Sequence, residues 1–285
     1  MELDVNPYDE LMRDGFVVMR QALATGLVEE INARIQIFKQ RNPSAVQRNL
    51  DAHQRLYRVV NLHLVVDAMT RLLTANPAIE VCDRFLGAPT TLYTSLYYER
   101  GSEQALHRDT PLFCTTPGEK YMGVWSALDR VDDSNGPLRV VPGSHLLSPI
   151  DLQALRQQVF AQGPVDPMSP AGWTAYQQAV ARQCEQAGLQ AQSVHVDAGD
   201  VIIWHPQLFH GGAPHPSSGT RRSVVMHVTP KSTPVGHMDV FFGARAPETR
   251  APWRYYRRGD RELARFRHVD FGHEYKRRTW FLRSA

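Results

Sequence analysis

The sequence predicts an α+β protein whose mainly β core is an antiparallel sandwich or barrel with flanking helices. Short runs rich in β-branched and aromatic residues recur through the middle of the chain. Turn signals such as Asn135-Gly136, Pro142-Gly143 and Ala198-Gly199-Asp200 separate them. Ahead of them, and in one insertion, apolar residues recur at the three-to-four spacing of amphipathic helices. At 285 residues, with 42% hydrophobic and 21% charged residues, the chain is long enough for one large core, and we read it as a single domain over 1–285.

Residues 1–88 read as a largely helical opening. Tyr8 to Arg13 is a short helix broken by Gly15, and Phe16-Val17-Val18-Met19 is a strand. Leu27, Val28, Ile31, Ile35 and Phe38 share one helical face up to Asn42-Pro43, where proline ends the helix. Ser44 to Leu62 is polar and reads as an irregular loop, with Arg48, Arg55 and Arg58 as basic residues able to meet a substrate. Helix resumes through Asp67–Leu73 and again from Pro77 to the stop at Gly87.

The core, about 89–230, begins with Thr90–Tyr98 and continues through strands at 123–128, 137–141, 194–196, 201–204 and 223–228. We read it as a double-stranded β-helix, the jelly roll of cupin-like proteins. Residues 149–188 interrupt it with helical spacing at Leu152, Leu155, Val159, Trp173, Tyr176, Val180 and Cys184, broken at Gly163-Pro164 and Pro167. A long insert on a rigid scaffold commonly carries function, here as a lid or substrate wall.

Charge and cysteine usage narrow the class. Net charge is +3, but residues 245–285 hold 12 of the 32 Lys and Arg against five acids, leaving 20 against 24 elsewhere. That basic tail suits either pairing with acids of the body or peripheral contact with an anionic surface. No recognition motif accompanies it, so nucleic acid is not an expected partner. Cys82, Cys114 and Cys184 are scattered and form no Cys-x-x-Cys pair, as expected of reduced thiols in a cytoplasmic protein. No apolar run of membrane-spanning length and no secretory leader is evident. No heptad run or interface stripe speaks to oligomeric state.

The chemistry starts from His107-Arg108-Asp109. In an extended segment residues i and i+2 share a face, so an imidazole and a carboxylate meet at one point. One later histidine would complete two His and one carboxylate, a set that suits ferrous iron and leaves positions open. His205, His210 and His215 are the candidates.

The segments 97–113 (YYERGSEQALHRDTPLF) and 194–230 (VHVDAGDVIIWHPQLFHGGAPHPSSGTRRSVVMHVTP) resemble the phytanoyl-CoA dioxygenase family of Fe(II)/2-oxoglutarate oxygenases, and the resemblance runs from Asp14 to Arg221. In that family an arginine eleven residues after the distal histidine binds the far carboxylate of 2-oxoglutarate. Only His210 has one, at Arg221. The resemblance thus implies His107, Asp109 and His210 as metal ligands and catalytic centre, Arg221 and Trp125 as co-substrate-binding residues, and Fe(II), 2-oxoglutarate and O2 as cofactors, with ascorbate a candidate reductant. It places the 44–62 loop near the active-site mouth and gives Pro142–His145 an architectural role. Strand alternation puts Arg221, Ser223, Val225 and His227 on one face and Arg222 on the other. His205, His215 and His227 are expected to be structural or to line the pocket. Gly212 stands where the family often has a serine, so the hydroxyl contact to the co-substrate is either missing or supplied elsewhere, for example by Thr94, Ser95 or Tyr97. Asp109 occupies a position that related halogenases vacate for chloride, which implies a hydroxylating or otherwise oxidising enzyme. The motifs look most like bacterial members of the family that hydroxylate sugars of lipopolysaccharide or small metabolites, and the basic tail suits a small, anionic substrate such as a sugar acid. Desaturation or ring formation, and metal binding without turnover, are the rival outcomes.

Overall fold

The computed structural model describes residues 6–116, 118–161, 170–272, 278–279 and 282–285. Helix α1 (Pro7–Asp14) is capped by Asn6, whose side chain accepts from the Tyr8 N–H, and ends at Gly15 with φ 84°. Strand β1 (Phe16–Met19) and helix α2 (Thr25–Arg41) follow as the pattern predicts. Pro43 corrects the reading of the next segment. It opens a further short helix, α3 (Pro43–Gln47), because a first-turn proline has no hydrogen bond to lose, and the stretch expected to be irregular ends in strand β2 (Val59–Val60). A 3-10 turn over Asp67–Thr70 precedes α4 (Arg71–Thr74), so the helix expected there is split, and α5 (Ala78–Leu86) stops at Gly87.

The remaining elements are β3 (Thr90–Tyr98), β4 (Cys114–Thr115), β5 (Met122–Ala127), β6 (Leu138–Val140), α6 (Leu152–Phe160), α7 (Pro170–Gln186), β7 (Gln192–Val194), β8 (Val201–Trp204), β9 (His210–Gly212), β10 (Ser223–Pro230), β11 (Val235–Gly236), α8 (Met238–Phe241), β12 (Tyr255–Arg258), β13 (Arg261–Ala264), β14 (Val269–Asp270) and β15 (Arg278–Thr279). The expected insertion is helical where described; its Gly163-Pro164 and Pro167 breaks lie outside the described residues.

The main sheet runs β1-β8-β5-β10-β3-β2-β14-β15, and a smaller sheet runs β7-β6-β9. Alternation along the main sheet separates two cores. Val17, Tyr97, Val124, Ile203, Val224 and Met226 point outward and pack on Leu27, Ile31, Ile35 and Phe38 of α2 and on α4 and α5. Phe16, Tyr98, Trp125, Ile202, Trp204 and Val225 point inward and meet Leu138, Val140 and Val194 of the smaller sheet. A third cluster joins Val141 and Phe209 to Leu155, Tyr176 and Val180 of the insertion. The result is a mixed α/β fold with facing antiparallel sheets and helices on one outer side.

Gly123 sits opposite Trp204 across the β5–β8 pair, and a Cβ there would lie 2.1 Å from the indole ring. Gly123→Ala is therefore expected to cost about 1–3 kcal/mol through overpacking, read as a lower urea midpoint.

The basic tail departs from the sequence reading, which assigned it no element. Tyr255–Arg258 and Arg261–Ala264 form a hairpin around Gly259-Asp260, and Leu263 pairs with Leu92 of β3. Its charge is partly matched by acids of the body: Arg258 pairs with Asp67 and Arg261 with Asp83, each at 2.8 Å, while the tail's Glu262 pairs with Lys231 of the body at 2.9 Å. No described helix is long and apolar enough to cross a membrane.

Two buried histidines away from the interior site give the fold a pH dependence. Burial lowers His63 to about 4, and burial with the charges of His145 and Arg108 lowers His205 to about 4. Both stay neutral in the fold and take up protons when it opens, so their contribution is full above pH about 6.5 and falls as pH drops toward 4. Each is expected to remove about 1.4 kcal/mol of stability per pH unit in that window. Denaturant midpoints at pH 7 and pH 5 test this; equal stability at both would refute neutral burial.

Candidate metal centre

After Tyr98 the chain leaves the main sheet and crosses to the smaller one. The strand expected to carry His107 is instead an irregular segment pinned by a single bridge. The His107 N–H donates to the His210 carbonyl at 2.9 Å, and the His210 N–H returns a bond to His107 at 3.0 Å. This joins residues a hundred positions apart and sets their side chains beside each other. His107, Asp109 and His210 are 3%, 4% and 5% exposed, and one ligand atom from each lies within 4.8 Å of the other two. His107 Nε2 is 3.6 Å from Asp109 Oδ1 and His210 Nε2 is 3.5 Å from Asp109 Oδ2.

Neighbouring carbonyls settle which ring nitrogens are free. His107 Nδ1 lies 2.8 Å from the Ala105 carbonyl and His210 Nδ1 lies 3.1 Å from that of Leu208. A carbonyl only accepts, so in the neutral rings Nδ1 carries the proton and both Nε2 lone pairs face the carboxylate. Burial lowers His210 to about 4, which keeps it neutral. Trp204 Nε1–H donates to Asp109 Oδ2 at 3.1 Å and aims the carboxylate. Two imidazoles and one carboxylate form a donor set that fits a divalent iron. Trp204→Phe removes the supporting donor and is expected to weaken Mn(II) affinity by about 10- to 100-fold, measured by calorimetry.

Arg108, between two of these residues, is a structural residue that sequence reasoning missed. Its buried guanidinium donates to the carbonyls of Gln207 at 2.9 Å and Ser144 at 3.2 Å, and it lies over the Phe209 ring at 4.2 Å. It ties the segment before His210 to the one carrying His107. Trp173 of α7 lies over His107 with ring centroids 5.4 Å apart, which places the insertion against the cluster.

Arg221 and Arg222 separate as alternation predicts. Arg222 grips Asp129, with its Nε–H 2.9 Å from Oδ1. Arg221 is 3% exposed, makes no ion pair among the described residues, and leaves its Nε–H without a partner. Its guanidinium lies 5.2 Å from the Trp125 ring, and burial lowers its pKa to about 10. A buried charge is costly unless matched, so this guanidinium is a group that could receive an anion. Ser223, two residues on and on the same face by alternation, is fully buried with an unpartnered hydroxyl. Its place on that face was legible, but its free hydroxyl was not.

Other expected contacts are corrected. Thr94 is taken by Asn61, Ser95 by His63 and Tyr97 by Glu99, so none of the three hydroxyls is free. At Gly212 a Cβ would lie 2.7 Å from Ser102 Oγ and 2.8 Å from the Glu103 nitrogen, so a serine does not fit. Arg55 is held by Asp51 and the carbonyls of Ser217 and Gly219, which removes it as a substrate contact. Arg48 is exposed. His215 accepts from the Gly101 N–H and His205 from the Gln207 N–H, both structural roles. His227 faces inward and stacks on Phe113 at 3.9 Å.

Facing antiparallel sheets with a buried His–Asp–His cluster where they meet define a cupin-like protein with a metal-ligand set in its interior. The chain belongs to the phytanoyl-CoA dioxygenase (PhyH) family, whose model matches residues 11–223. It is 25% identical over 131 residues to the peroxisomal phytanoyl-CoA dioxygenase of Bos taurus, covering 45% of this chain and 34% of that enzyme, so the match spans about a third of the relative. It is 24% identical over 183 residues to a probable alpha-ketoglutarate-dependent hypophosphite dioxygenase of Stutzerimonas stutzeri, covering 63% of this chain and 59% of that one. The fold matches the crystal structure of the epimerase SnoN in complex with Fe3+, alpha ketoglutarate and nogalamycin RO with a TM-score of 0.60 and 20% identity, over 90% of this chain and 96% of that chain.

Proposed function

We propose that the protein is an Fe(II)- and 2-oxoglutarate-dependent dioxygenase of the double-stranded β-helix type that hydroxylates a C–H bond of a small anionic substrate. One observation carries the reading: two imidazoles and a carboxylate converge in the interior on the side of the smaller sheet, and Arg221, a buried guanidinium with no acid beside it among the described residues, leads into β10 of the main sheet. When bound, iron and 2-oxoglutarate supply the oxidation, with oxygen consumed and succinate and carbon dioxide released. The protein does the rest. His107, Asp109 and His210 would hold the metal, and two His with one carboxylate is a set that suits ferrous iron. Arg221 would receive the far carboxylate of the diacid, with the Ser223 hydroxyl nearby on the same face and the Trp125 ring against the guanidinium. Trp173 and α7 act as a cover over His107 and exclude water.

The membership of the family and the iron- and alpha-ketoglutarate-bound SnoN of like fold support this reading. A sugar acid of lipopolysaccharide falls within the proposed substrate class, as does a small carboxylated or phosphonylated metabolite. The test is anaerobic loading with Fe(II), then oxygen, with succinate measured across a panel of small carboxylates and phosphonates. The account expects succinate that requires both Fe(II) and 2-oxoglutarate, and a product heavier by one oxygen. Metal binding with no succinate under any of these conditions would favour a binding protein instead.

A further inference from the structure

We propose that Arg58 is a second anion anchor in the interior and receives a carboxylate or phosphonate group of the substrate. The inference rests on the dioxygenase reading and specifies its substrate. Strand β2 pairs antiparallel with β3, Val59 opposite Tyr97 and Val60 opposite Leu96. Continued by one residue, the register sets Arg58 opposite Tyr98. Residues opposite each other share a face, and Tyr98 belongs to the inward core with Trp125 and Val225. Arg58 is therefore turned into the barrel, beside the Tyr57 ring at 5.5 Å.

The Arg58 Nε–H is buried with no partner, and no ion pair forms to it among the described residues, not even from Asp270, which stands on the same face opposite Val60. Nearby arginines differ: Arg55 is locked by Asp51, and Arg100 reaches Asp51 at 3.8 Å and Glu103 at 3.7 Å. Two cations thus bear on the inner face without an ion pair among the described residues, Arg221 and Arg58. The Tyr98 side chain links them: its hydroxyl is within hydrogen-bonding reach of Arg58 and is also reached by the charge of Arg221, and Ser223 beside Arg221 pairs opposite Tyr98. A keto diacid needs one guanidinium, since its other end goes to the metal. Arg221, almost wholly buried, suits a co-substrate seated first and deepest. Arg58 is half-buried on a two-residue rim strand, which suits a group that arrives and leaves with each turnover.

Anaerobic calorimetry on the full chain loaded with Mn(II) separates the two roles, with methylphosphonate as the probe. The wild type is expected to bind 2-oxoglutarate and then methylphosphonate. Arg58→Gln should weaken methylphosphonate by about 10- to 100-fold, the worth of a charge-assisted bond, and leave 2-oxoglutarate within about twofold. Arg58→Lys should restore most of the phosphonate affinity, and a thermal melt confirms that each variant folds. A tenfold loss of 2-oxoglutarate affinity in Arg58→Gln would assign the residue to the co-substrate and overturn the proposal. So would phosphonate binding that is absent in the wild type or unchanged in the variant. If the Mn(II)-loaded wild type binds no 2-oxoglutarate, the dioxygenase reading itself falls.

Discussion

Arg221→Met is expected to move two measurements in opposite directions. The guanidinium is buried without an acid among the described residues, and holding it there costs free energy until an anion arrives. Methionine fills much of the same volume beside Trp125 without that cost, so the protein without co-substrate should gain about 1–4 kcal/mol of stability. Removing the fork also takes away the match for the far carboxylate, and 2-oxoglutarate affinity should fall by about 2–5 kcal/mol, roughly 30-fold to several thousand-fold. Urea unfolding and calorimetry on one preparation read both. A structural arginine would instead show a loss of stability with unchanged ligand affinity.

The second large effect concerns Asp109. Asp109→Asn keeps an oxygen that accepts from the Trp204 indole, bonded at 3.1 Å, yet removes the negative charge that faces the two imidazoles. The fold should survive. Metal affinity should fall by more than the ~10–100-fold loss that follows removal of a supporting hydrogen bond, and metal-dependent succinate should drop to background. Asp109→Ala should lose metal too, and also leave the Trp204 N–H buried and unmatched at a cost of about 1–3 kcal/mol. Equal metal affinity in Asp109→Asn and the wild type would remove the carboxylate from the site.

Local signals made much of this legible from the chain. The His107/Asp109 pair needs only the alternation of an extended segment, and Arg221 against Arg222 needs only the same rule applied at the entry to β10. The strands at 90–98, 201–204 and 223–230 announce themselves by composition because both faces are buried. What escaped depends on contacts between distant segments. Strand β2 has two residues, too few for a pattern, and the inward aim of Arg58 follows from its register with β3. The displaced roles of Thr94, Ser95 and Tyr97 follow from Asn61, His63 and Glu99, which no spacing rule connects to them. The C-terminal hairpin was legible in principle, since Gly259-Asp260 between Tyr255-Tyr256 and Leu263-Ala264 is a turn signal, but the density of arginine drew attention to charge instead.

The central claim is that His107, Asp109 and His210 bind one metal whose open side takes 2-oxoglutarate reaching to Arg221. An anaerobic crystal structure with Fe(II) and 2-oxoglutarate tests it most directly. The expected result is iron bonded to Nε2 of His107, Nε2 of His210 and an Asp109 oxygen, with the keto acid end of 2-oxoglutarate on the metal and its far carboxylate on the Arg221 guanidinium. Iron bound elsewhere, or a far carboxylate held by any group other than Arg221, would contradict it.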